Sequence, residues 1–412
     1  MKKLKVAIIG YGNRGCIYSS FILSKMEMFE VVGVVEFIES KREKAKNDFS
    51  LTDEQLFKNA DDFFNAKIQT DLLIIASMDK YHYPQAMAAL NANMHVLLEK
   101  PISLSLKECQ DIANLAKAKN RYVVICHVLR YTSFYVNIKK IIDNHEIGEV
   151  IHINQNENVA FWHQAHSFVR GNWRNDTVAG PMILSKCSHD LDILYWLMNK
   201  ECESVSSYGS LKHFTKENQP KNASSRCFEC KVKEDCPYNC YAFYLDNGRE
   251  WARQLVGDDL SDENIIRYLK ESAYGRCVYE CDNNVVDHQI VNILFKNQAT
   301  ASLSMTAFSN ECYRTIHVYG THGDIIGDFE KRFITVNHFK KDSYTIDLNK
   351  INDDFSGHGG GDKVMFFEFI DLILNHKMSQ GLSLIEDSIV SHKMAFAAEE
   401  SRLNKGEPIK ID

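Results

Sequence analysis

The chain has 412 residues, of which 45% are hydrophobic and 25% charged, and its formal net charge is −7. This length predicts two or more domains, and the acidic balance argues against nucleic-acid or anionic-membrane binding. The longest apolar runs have only strand length, so we expect no membrane span and interpret the N-terminal run as a strand, not a signal peptide. With twelve cysteines, a reduced, cytoplasmic setting is expected.

The first 130 residues alternate short apolar strands with amphipathic helices. Strands are predicted at residues 5–10, 31–36, 71–77, 95–100 and 122–128. Such alternation is typical of an α/β domain with a doubly wound parallel sheet. We therefore predict one such domain over residues 1–130.

The remaining sequence has a different pattern. Residues 285–308 predict a β-hairpin that turns near residues 296–298, and further strands are predicted up to residue 339. Two helices are predicted at the end, over residues 362–374 and 383–403. We predict that residues 131–412 form an α+β domain with a large, mostly antiparallel open sheet. A polar, cysteine-bearing insertion interrupts it at about residues 213–270.

The segment VAIIGYGNRG contains a dinucleotide-binding pattern. It places Gly10, Gly12 and Gly15 in G-x-G-x-x-G spacing, directly after a strand and at the start of a helix. These glycines permit a tight turn, close approach of the backbone to a pyrophosphate, and close packing of the helix. The helix N-terminus then attracts the phosphate charge.

An acidic residue at the end of the second strand indicates which dinucleotide binds. Glu36 lies where a carboxylate can accept hydrogen bonds from the adenosine ribose. The same carboxylate repels a 2′-phosphate, so NAD is favoured over NADP. Lys41 and Arg42 follow closely and leave NADP open.

Further motifs carry a family resemblance. LLEKPIS contains Glu99, Lys100 and Pro101, DLLIIASMDKYHYPQAMAAL contains His82, and an H-x-x-D segment begins at His189. With the glycine turn, and in this order over nearly the whole chain, they resemble the Gfo/Idh/MocA family of oxidoreductases. The resemblance implies an N-terminal Rossmann domain and a C-terminal domain whose open sheet pairs subunits into a homodimer or homotetramer.

The resemblance also implies a reaction. Relatives transfer hydride between a nicotinamide and a secondary hydroxyl of a sugar, inositol or related polyol, with Lys100 beside the nicotinamide and His189 as proton acceptor. The chemistry agrees, because loss of hydride from an alcohol requires a base for the hydroxyl proton and a cation for the developing alkoxide. The predicted cofactor contacts are Gly10, Tyr11, Gly12, Asn13, Arg14, Gly15, Glu36, Ser77, His82, Glu99 and Lys100.

The segment SKCSHDLD departs from the family pattern. Relatives commonly have an aspartate four residues before the histidine, where this chain has Ser185, followed by Lys186. On a regular helix Lys186 and His189 share a face, and Asp192 can orient the imidazole ring. We predict Lys100, His189 and Lys186 as catalytic residues. The predicted substrate contacts are Lys100, Arg170, Trp173, Ser185, Lys186 and His189.

The insertion contains four cysteines in C-x2-C-x5-C-x3-C spacing. A structural zinc ion or an iron–sulfur cluster is one interpretation, and free or paired thiols are the other. Cys277 and Cys281 are alternative ligands. The four cysteines are Cys227, Cys230, Cys236 and Cys240.

Two other functions use the same residues. An NAD-dependent glycosidase oxidises a sugar transiently, eliminates the glycosidic oxygen and regenerates the cofactor, so it needs the same base. A non-catalytic sensor of nucleotide and sugar is the third hypothesis, and Lys100 and His189 argue against it.

The glycine-rich segment 357–362 opens a helix and is a candidate loop over the cleft.

Overall fold

The computed structural model describes residues 3–257, 259–351, 356–379 and 381–411. Within these ranges six strands form a parallel sheet in the order β3-β2-β1-β4-β5-β6. The order reverses between β1 and β4, and ligands bind at such switch points in doubly wound sheets. The predicted α/β fold is confirmed. The strands are β1 (Leu4–Ile9), β2 (Phe29–Val35), β3 (Leu56–Phe57), β4 (Leu72–Ile75), β5 (His95–Leu98) and β6 (Val123–Ile125).

Helices cover both faces of this sheet, which explains why its strands are apolar throughout. One face packs against residues of α1 and α2, and the other against α3, α4 and α5. All four residues of β4 are buried as a result. The helices are α1 (Asn13–Leu23), α2 (Glu39–Phe49), α3 (Ala60–Asn65), α4 (His82–Asn91) and α5 (Leu106–Lys119).

The second sheet has nine strands in the described residues, in the order β14-β13-β12-β11-β7-β10-β9-β8-β15. Neighbouring strands are antiparallel except β7 and β10, which are parallel. The predicted mostly antiparallel sheet and the hairpin of β9 and β10 are therefore confirmed. The strands are β7 (Val150–Asn158), β8 (Cys202–Ser210), β9 (His288–Phe295), β10 (Thr300–Thr306), β11 (Tyr313–Gly320), β12 (Gly323–Asp328), β13 (Phe333–His338), β14 (Tyr344–Asp347) and β15 (Ile409–Lys410).

The two faces of the second sheet differ in polarity. One face buries aliphatic side chains such as Val291 and Val318 beneath α6 (Ser133–Asp143), α10 (Ser188–Met198) and α16 (Ile385–Leu403). The opposite face, here called the open face, exposes Ile290, Tyr319 and Ile326 among polar residues. The alternation of buried and exposed residues along β9 follows from this arrangement.

The last helices pack against the N-terminal sheet as well. After a short distorted turn, α14 (Ser356–Gly359), helix α15 (Gly361–Asn375) buries Phe366 and Phe369 in the same core as Val6 and Tyr18. Helix α16 contributes to the N-terminal core at one end and to the C-terminal core at the other. Residues assigned to the second domain therefore complete the first. The division at residue 130 itself stays a prediction.

Short helices connect the larger elements and fill the cysteine-bearing insertion. The insertion buries Cys227, Cys240, Tyr244, Ile265 and Leu269 in a small core of its own. In the described residues, no helix is long and apolar enough to cross a membrane. The remaining helices are α7 (Phe161–His163), a π-helix (Gln164–Arg170), α8 (Asp176–Ala179), α9 (Met182–Ser185), α11 (Cys240–Tyr244), α12 (Glu250–Arg253) and α13 (Asp262–Glu271).

Candidate active site

The glycine turn between β1 and α1 has the geometry of a phosphate-binding loop. A β-carbon at Gly10, where φ is +89°, would lie 2.5 Å from the Ala76 carbonyl oxygen, and one at Gly15 would lie 2.0 Å from the Gly10 carbonyl oxygen. At Gly12, by contrast, an added β-carbon would meet no atom within 4 Å. Gly12 is also the N-cap of α1 and has no side chain to occupy the free N–H groups. The turn therefore has open space and donors for a pyrophosphate.

Glu36 closes this turn from the second strand. Its carboxylate accepts hydrogen bonds from the backbone N–H groups of Tyr11 and Ile38, both at 2.9 Å. The Tyr11 hydroxyl donates to Asp48 at 2.7 Å, so its side chain points away from the turn. Arg42 donates to the Glu36 carbonyl oxygen at 2.6 Å. The carboxylate thus lies beside the predicted dinucleotide site, and these residues fit an adenosine ribose.

Arg14 connects the glycine turn to two other segments. Its Nε donates to Glu99 Oε1 at 2.5 Å, and its Nη2 contacts Tyr18 and Asp362. Burial opposes ionisation of Glu99, but Arg14 and Tyr18 more than offset it and hold the pKa of this carboxyl below its ordinary value. Arg14 therefore joins α1, the loop after β5 and the start of α15. Asn13, at the start of α1, is exposed.

His82 joins the loops that follow β4 and β5. Its Nδ1 lies 2.7 Å from the Pro101 carbonyl oxygen and its Nε2 lies 3.1 Å from the Ser77 carbonyl oxygen. The ring is fully buried, so these backbone contacts define its surroundings. The Ser77 hydroxyl donates to Gln85 at 2.7 Å. This arrangement makes His82 a support for the loop that carries Lys100.

Lys100 reaches from the N-terminal sheet to the second domain. Its Nζ donates to the Ser185 carbonyl oxygen at 2.8 Å. Burial lowers the pKa of Lys100, with Glu99 and Asp79 opposing the effect and Lys186 adding to it. The Ser185 hydroxyl itself donates to the Ala179 carbonyl oxygen at 2.5 Å. Ser185 therefore positions Lys100 through its backbone, and its side chain is occupied within its own segment.

A break in the helix separates Lys186 from His189. Helix α9 ends at Ser185, Lys186 is its C-cap, and α10 begins at Ser188. The prediction that Lys186 and His189 share the face of one regular helix is therefore wrong. The positions stay close because the break is short, but their relative orientation is set by the turn between the helices.

His189 lies at the start of α10 in a cationic environment. Burial, together with Lys100, His127, His358 and Arg314, lowers its pKa well below the ordinary value. The lowered pKa favours the neutral imidazole, which is the form that has an acceptor nitrogen. The ring of His358, from the glycine-rich segment, has its centroid 6.0 Å from that of His189. The segment predicted to cover the cleft therefore lies next to the candidate base.

A buried charge cluster behind Lys186 was not predicted from the sequence. Lys186 Nζ lies 3.1 Å from Glu157 Oε1, and Arg314 Nη2 lies 2.6 Å from Glu157 Oε2. Arg314 also pairs with Asp190 at 3.0 Å. Burial opposes ionisation of Glu157, but Arg314 and Lys186 more than offset it and lower its pKa. The Lys186 charge is thus partly compensated within the protein. The inward position of Glu157 on an alternating strand was the available signal.

Asp192 does not contact the His189 ring as predicted. Its carboxylate forms a bidentate pair with Arg130, both distances being 2.6 Å, and lies 2.9 Å from His127 Nδ1. All three side chains are almost fully buried. Because the partners Arg130 and His127 come from the segment after β6, spacing within the SKCSHDLD segment could not reveal them.

The two predicted substrate residues in the segment before α8, Arg170 and Trp173, have different surroundings. Trp173 Nε1 donates to Asp79 Oδ2 at 3.2 Å, and Asp79 is one of the charges that act on Lys100. Arg170 instead is buried in the insertion, where it donates to the carbonyl oxygens of Arg276 and Tyr238, both at 2.8 Å. The structure therefore brings Trp173 toward the site and does not bring Arg170 there. Asp79 was missed, although it follows a strand at the correct sheet edge.

The metal interpretation of the insertion's cysteines stays a prediction. All twelve cysteines of the chain are free, and no group of three or more His, Cys, Asp or Glu side chains in the described ranges is arranged to hold a metal ion. A hydrogen bond with the Cys240 thiol, together with the Arg170 guanidinium, lowers the pKa of Cys227. The insertion therefore shows packed thiols beside a buried arginine. The cysteines of the insertion that were predicted as metal ligands are Cys227, Cys230, Cys236 and Cys240.

Comparison with known proteins agrees with this geometry. Residues 4–127 match the Gfo/Idh/MocA family model described as an oxidoreductase family, NAD-binding Rossmann fold, and residues 139–411 match the model of its C-terminal alpha/beta domain. YteT of Bacillus subtilis is 23% identical over 375 residues, 84% of each chain.

Two further similarities involve named dehydrogenases. Inositol 2-dehydrogenase of Salmonella typhimurium is 28% identical over 207 residues, which is 50% of this chain and 57% of that protein. The crystal structure of an inositol dehydrogenase homolog from Azotobacter vinelandii, complexed with NAD+, superimposes with a TM-score of 0.72 at 14% identity. That match covers 100% of this chain and 98% of the other. The chain therefore belongs to the Gfo/Idh/MocA family of oxidoreductases and has its NAD-binding Rossmann domain.

Proposed function

We propose that this protein is an NAD-dependent dehydrogenase that oxidises a secondary hydroxyl of a sugar, an inositol or a related polyol. The observation that carries the proposal is the contact of Lys100, which follows the Rossmann strand β5, with the Ser185 carbonyl oxygen at 2.8 Å, four residues before the buried His189 of the second domain. Support comes also from the inositol 2-dehydrogenase match, which extends over half of this chain. When bound, NAD supplies the hydride acceptor.

The protein's own residues handle the hydroxyl proton. A neutral imidazole at His189 accepts this proton, and the ammonium group of Lys100 stabilises the negative charge that develops on the oxygen. The Ser185 carbonyl holds Lys100 in place at 2.8 Å. Lys186 lies beside this pair, with Glu157 compensating its charge, and we assign it an assisting role in substrate binding.

The pKa shifts predict the pH dependence of alcohol oxidation. His189 must be neutral, and because burial and Lys100 lower its pKa, activity should persist below pH 6.5 and fall only as the pH drops through the lowered value. Lys100 must be charged, and because burial lowers its pKa, the alkaline limb should lie below pH 10.5. Measurement of kcat/KM against pH checks both limbs.

The direct test is NADH formation by the purified protein with a panel of inositols, aldoses and their glycosides. Lys100→Met and His189→Gln should each lower kcat by roughly 10²- to 10⁴-fold, the contribution of a positioned acid–base group. Lys341→Gln, on an exposed turn, is the matched control and should keep full activity. Full turnover in both active-site variants would exclude the assignment.

An NAD-dependent glycosidase would use the same base and cofactor. The similar inositol enzymes are dehydrogenases, which favours net oxidation. The panel separates the two reactions, because a glycosidase cleaves glycosides without accumulating NADH. Cleavage without NADH would establish the alternative.

We further propose that the open face of the second sheet joins two or four copies of this chain. Ile290, Tyr319 and Ile326 are each 40% exposed or more on this face, which no helix of the described residues covers. Exposed apolar patches of this kind mark interfaces. Light scattering should give a dimer or tetramer, and Ile290→Lys with Ile326→Lys should give monomers. A monomeric wild-type protein would contradict the proposal.

A further inference from the structure

A second buried histidine lies directly behind the candidate base. His127 is 1% exposed, its Nδ1 lies 2.9 Å from Asp192 Oδ1, and its ring meets that of His189 nearly edge-on with 5.9 Å between centroids. Resting on the proposed function, in which His189 accepts the substrate proton, we propose that His127 is a positioning residue that fixes the tautomer of His189. Asp192 and His127 together would hold the proton of His189 on Nδ1 and leave its Nε2 free to accept.

The unsatisfied atoms of the two rings support this pairing. Among the described residues, His189 Nδ1 and both nitrogens of His127 are buried without a hydrogen-bond partner, and the approach of His127 Nδ1 to Asp192 Oδ1 at 2.9 Å is an ionic contact. Buried side-chain nitrogens of native proteins are almost always hydrogen-bonded. The two rings are neighbours, with 5.9 Å between their centroids, and we propose that His189 Nδ1 and His127 Nε2 face each other as donor and acceptor.

The direction of the hydrogen bonds follows from Asp192. Arg130 binds both oxygens of this carboxylate at 2.6 Å, which keeps it ionised, and an ionised carboxylate only accepts. Of the two His127 nitrogens, Nδ1 is the one that faces this carboxylate, at 2.9 Å, so we place the ring proton there. With a single ring proton placed on Nδ1, the other nitrogen of His127, Nε2, is an acceptor and matches a proton on His189 Nδ1.

The other neighbours of the two rings cannot replace this contact. His392, whose ring centroid is 5.7 Å from that of His127, accepts from the Ile102 N–H at 2.8 Å and has its Nδ1 3.1 Å from the Ser388 carbonyl oxygen. Both of its nitrogens are thus occupied. Burial and His127 lower the pKa of His392 to about 3, in accord with a neutral ring.

The other groups that face His189 do not take the place of His127 as acceptor for the proton on His189 Nδ1. Lys100 and Arg314 carry donors alone and cannot accept from His189 Nδ1. His358 Nδ1 is 3.1 Å from Asp362 Oδ2, and the His358 side chain is 44% exposed, so its other nitrogen has access to solvent. His127 is the neighbour whose acceptor is both buried and free. Its loss would let the proton of His189 move to Nε2, where it blocks proton acceptance.

The experiment compares His127→Phe, which keeps a ring without nitrogen, with His127→Gln, whose amide oxygen can still accept. Nitrogen NMR of the NAD-loaded, histidine-labelled protein reports the tautomer of His189 directly, with signals assigned through His189→Gln. We expect the Nδ1–H form in the wild-type protein and in His127→Gln, and a shift toward Nε2–H in His127→Phe. His376→Gln, at the exposed end of α15, is the matched control and should change neither tautomer nor activity.

Kinetics give the second readout. With a substrate from the panel, His127→Phe should lower kcat roughly 10- to 100-fold, part of what a positioned base contributes, with KM little changed. His127→Gln should restore most of the loss. An Nε2–H tautomer in the wild-type protein, or an unchanged His189 signal in His127→Phe, would overturn the proposal. If His127→Phe does not fold, the His127→Gln variant decides: an Nε2–H tautomer of His189 in that variant would also overturn the proposal. The tautomer is measured without turnover, so absence of dehydrogenase activity alone would contradict the proposed function and not the positioning role.

Discussion

Replacement of Asp192 by asparagine should be among the most destabilising single changes in this protein. The substitution keeps the shape of the side chain but removes a negative charge that is 1% exposed and that faces Arg130 and His127. Removal of one partner of a buried ion pair costs about 3–5 kcal/mol, because the other charge stays buried and uncompensated. At 2–4 °C per kcal/mol for a domain of 150–250 residues, Tm should fall by roughly 6–20 °C.

The same pair has a defined pH dependence. Burial opposes ionisation of Asp192, but Arg130 and His127 more than offset it and hold its pKa below the ordinary value. A carboxyl whose folded pKa is lowered stabilises the protein fully above its unfolded pKa of about 4, and this contribution is lost as the pH falls through the folded value. The difference in Tm between wild type and Asp192→Asn should therefore be largest near neutral pH and shrink in acid.

The assay is thermal unfolding measured by calorimetry, and two further variants serve as controls. Asp342→Asn changes an exposed aspartate and should alter stability by no more than about 0.5 kcal/mol. A double variant, Arg130→Met with Asp192→Leu, should recover much of the loss, since apolar pairs can replace buried ion pairs. A Tm for Asp192→Asn within about 2 °C of the wild-type value would refute the reasoning.

Three other predictions follow from the site and the core. Gly12→Ala should fold normally but bind NAD weakly, because its β-carbon would enter the open space assigned to the pyrophosphate. Gly15→Ala should instead lower Tm, because its β-carbon would lie 2.0 Å from the Gly10 carbonyl oxygen. If the two variants had the same Tm and the same NAD affinity in a titration, this distinction would be contradicted. Glu36→Gln should shift the affinity ratio toward NADP roughly tenfold, the effect of about 1.4 kcal/mol of relieved repulsion, and an unchanged ratio would count against the assigned ribose site. Phe366→Ala should lower the free energy of unfolding by about 3–5 kcal/mol, because this ring is fully buried beneath the N-terminal sheet. An unchanged midpoint in urea unfolding would contradict this prediction.

Local patterns in the sequence were sufficient for much of the fold. The G-x-G-x-x-G turn with its flanking strand and helix predicted the cofactor domain, because each glycine answers a local steric need that the structure shows at Gly10 and Gly15. Alternation of apolar residues predicted the hairpin of β9 and β10, because one face of that sheet is buried. Packing of α15 against the N-terminal sheet was not predicted, since its apolar residues indicate only that some partner exists.

The candidate site also combines residues that short motifs predict with partners that no motif predicts. Short motifs predicted the lysine that follows β5 and the histidine at the start of α10. The tertiary structure alone decided their surroundings: the Ser185 carbonyl for Lys100, and the Asp192–His127 pair behind His189. Lys100 and Ser185 lie 85 positions apart in the chain, and Asp192 and its partner Arg130 lie 62 positions apart. No local spacing encodes such pairs, because burial and charge compensation depend on which elements the fold brings together.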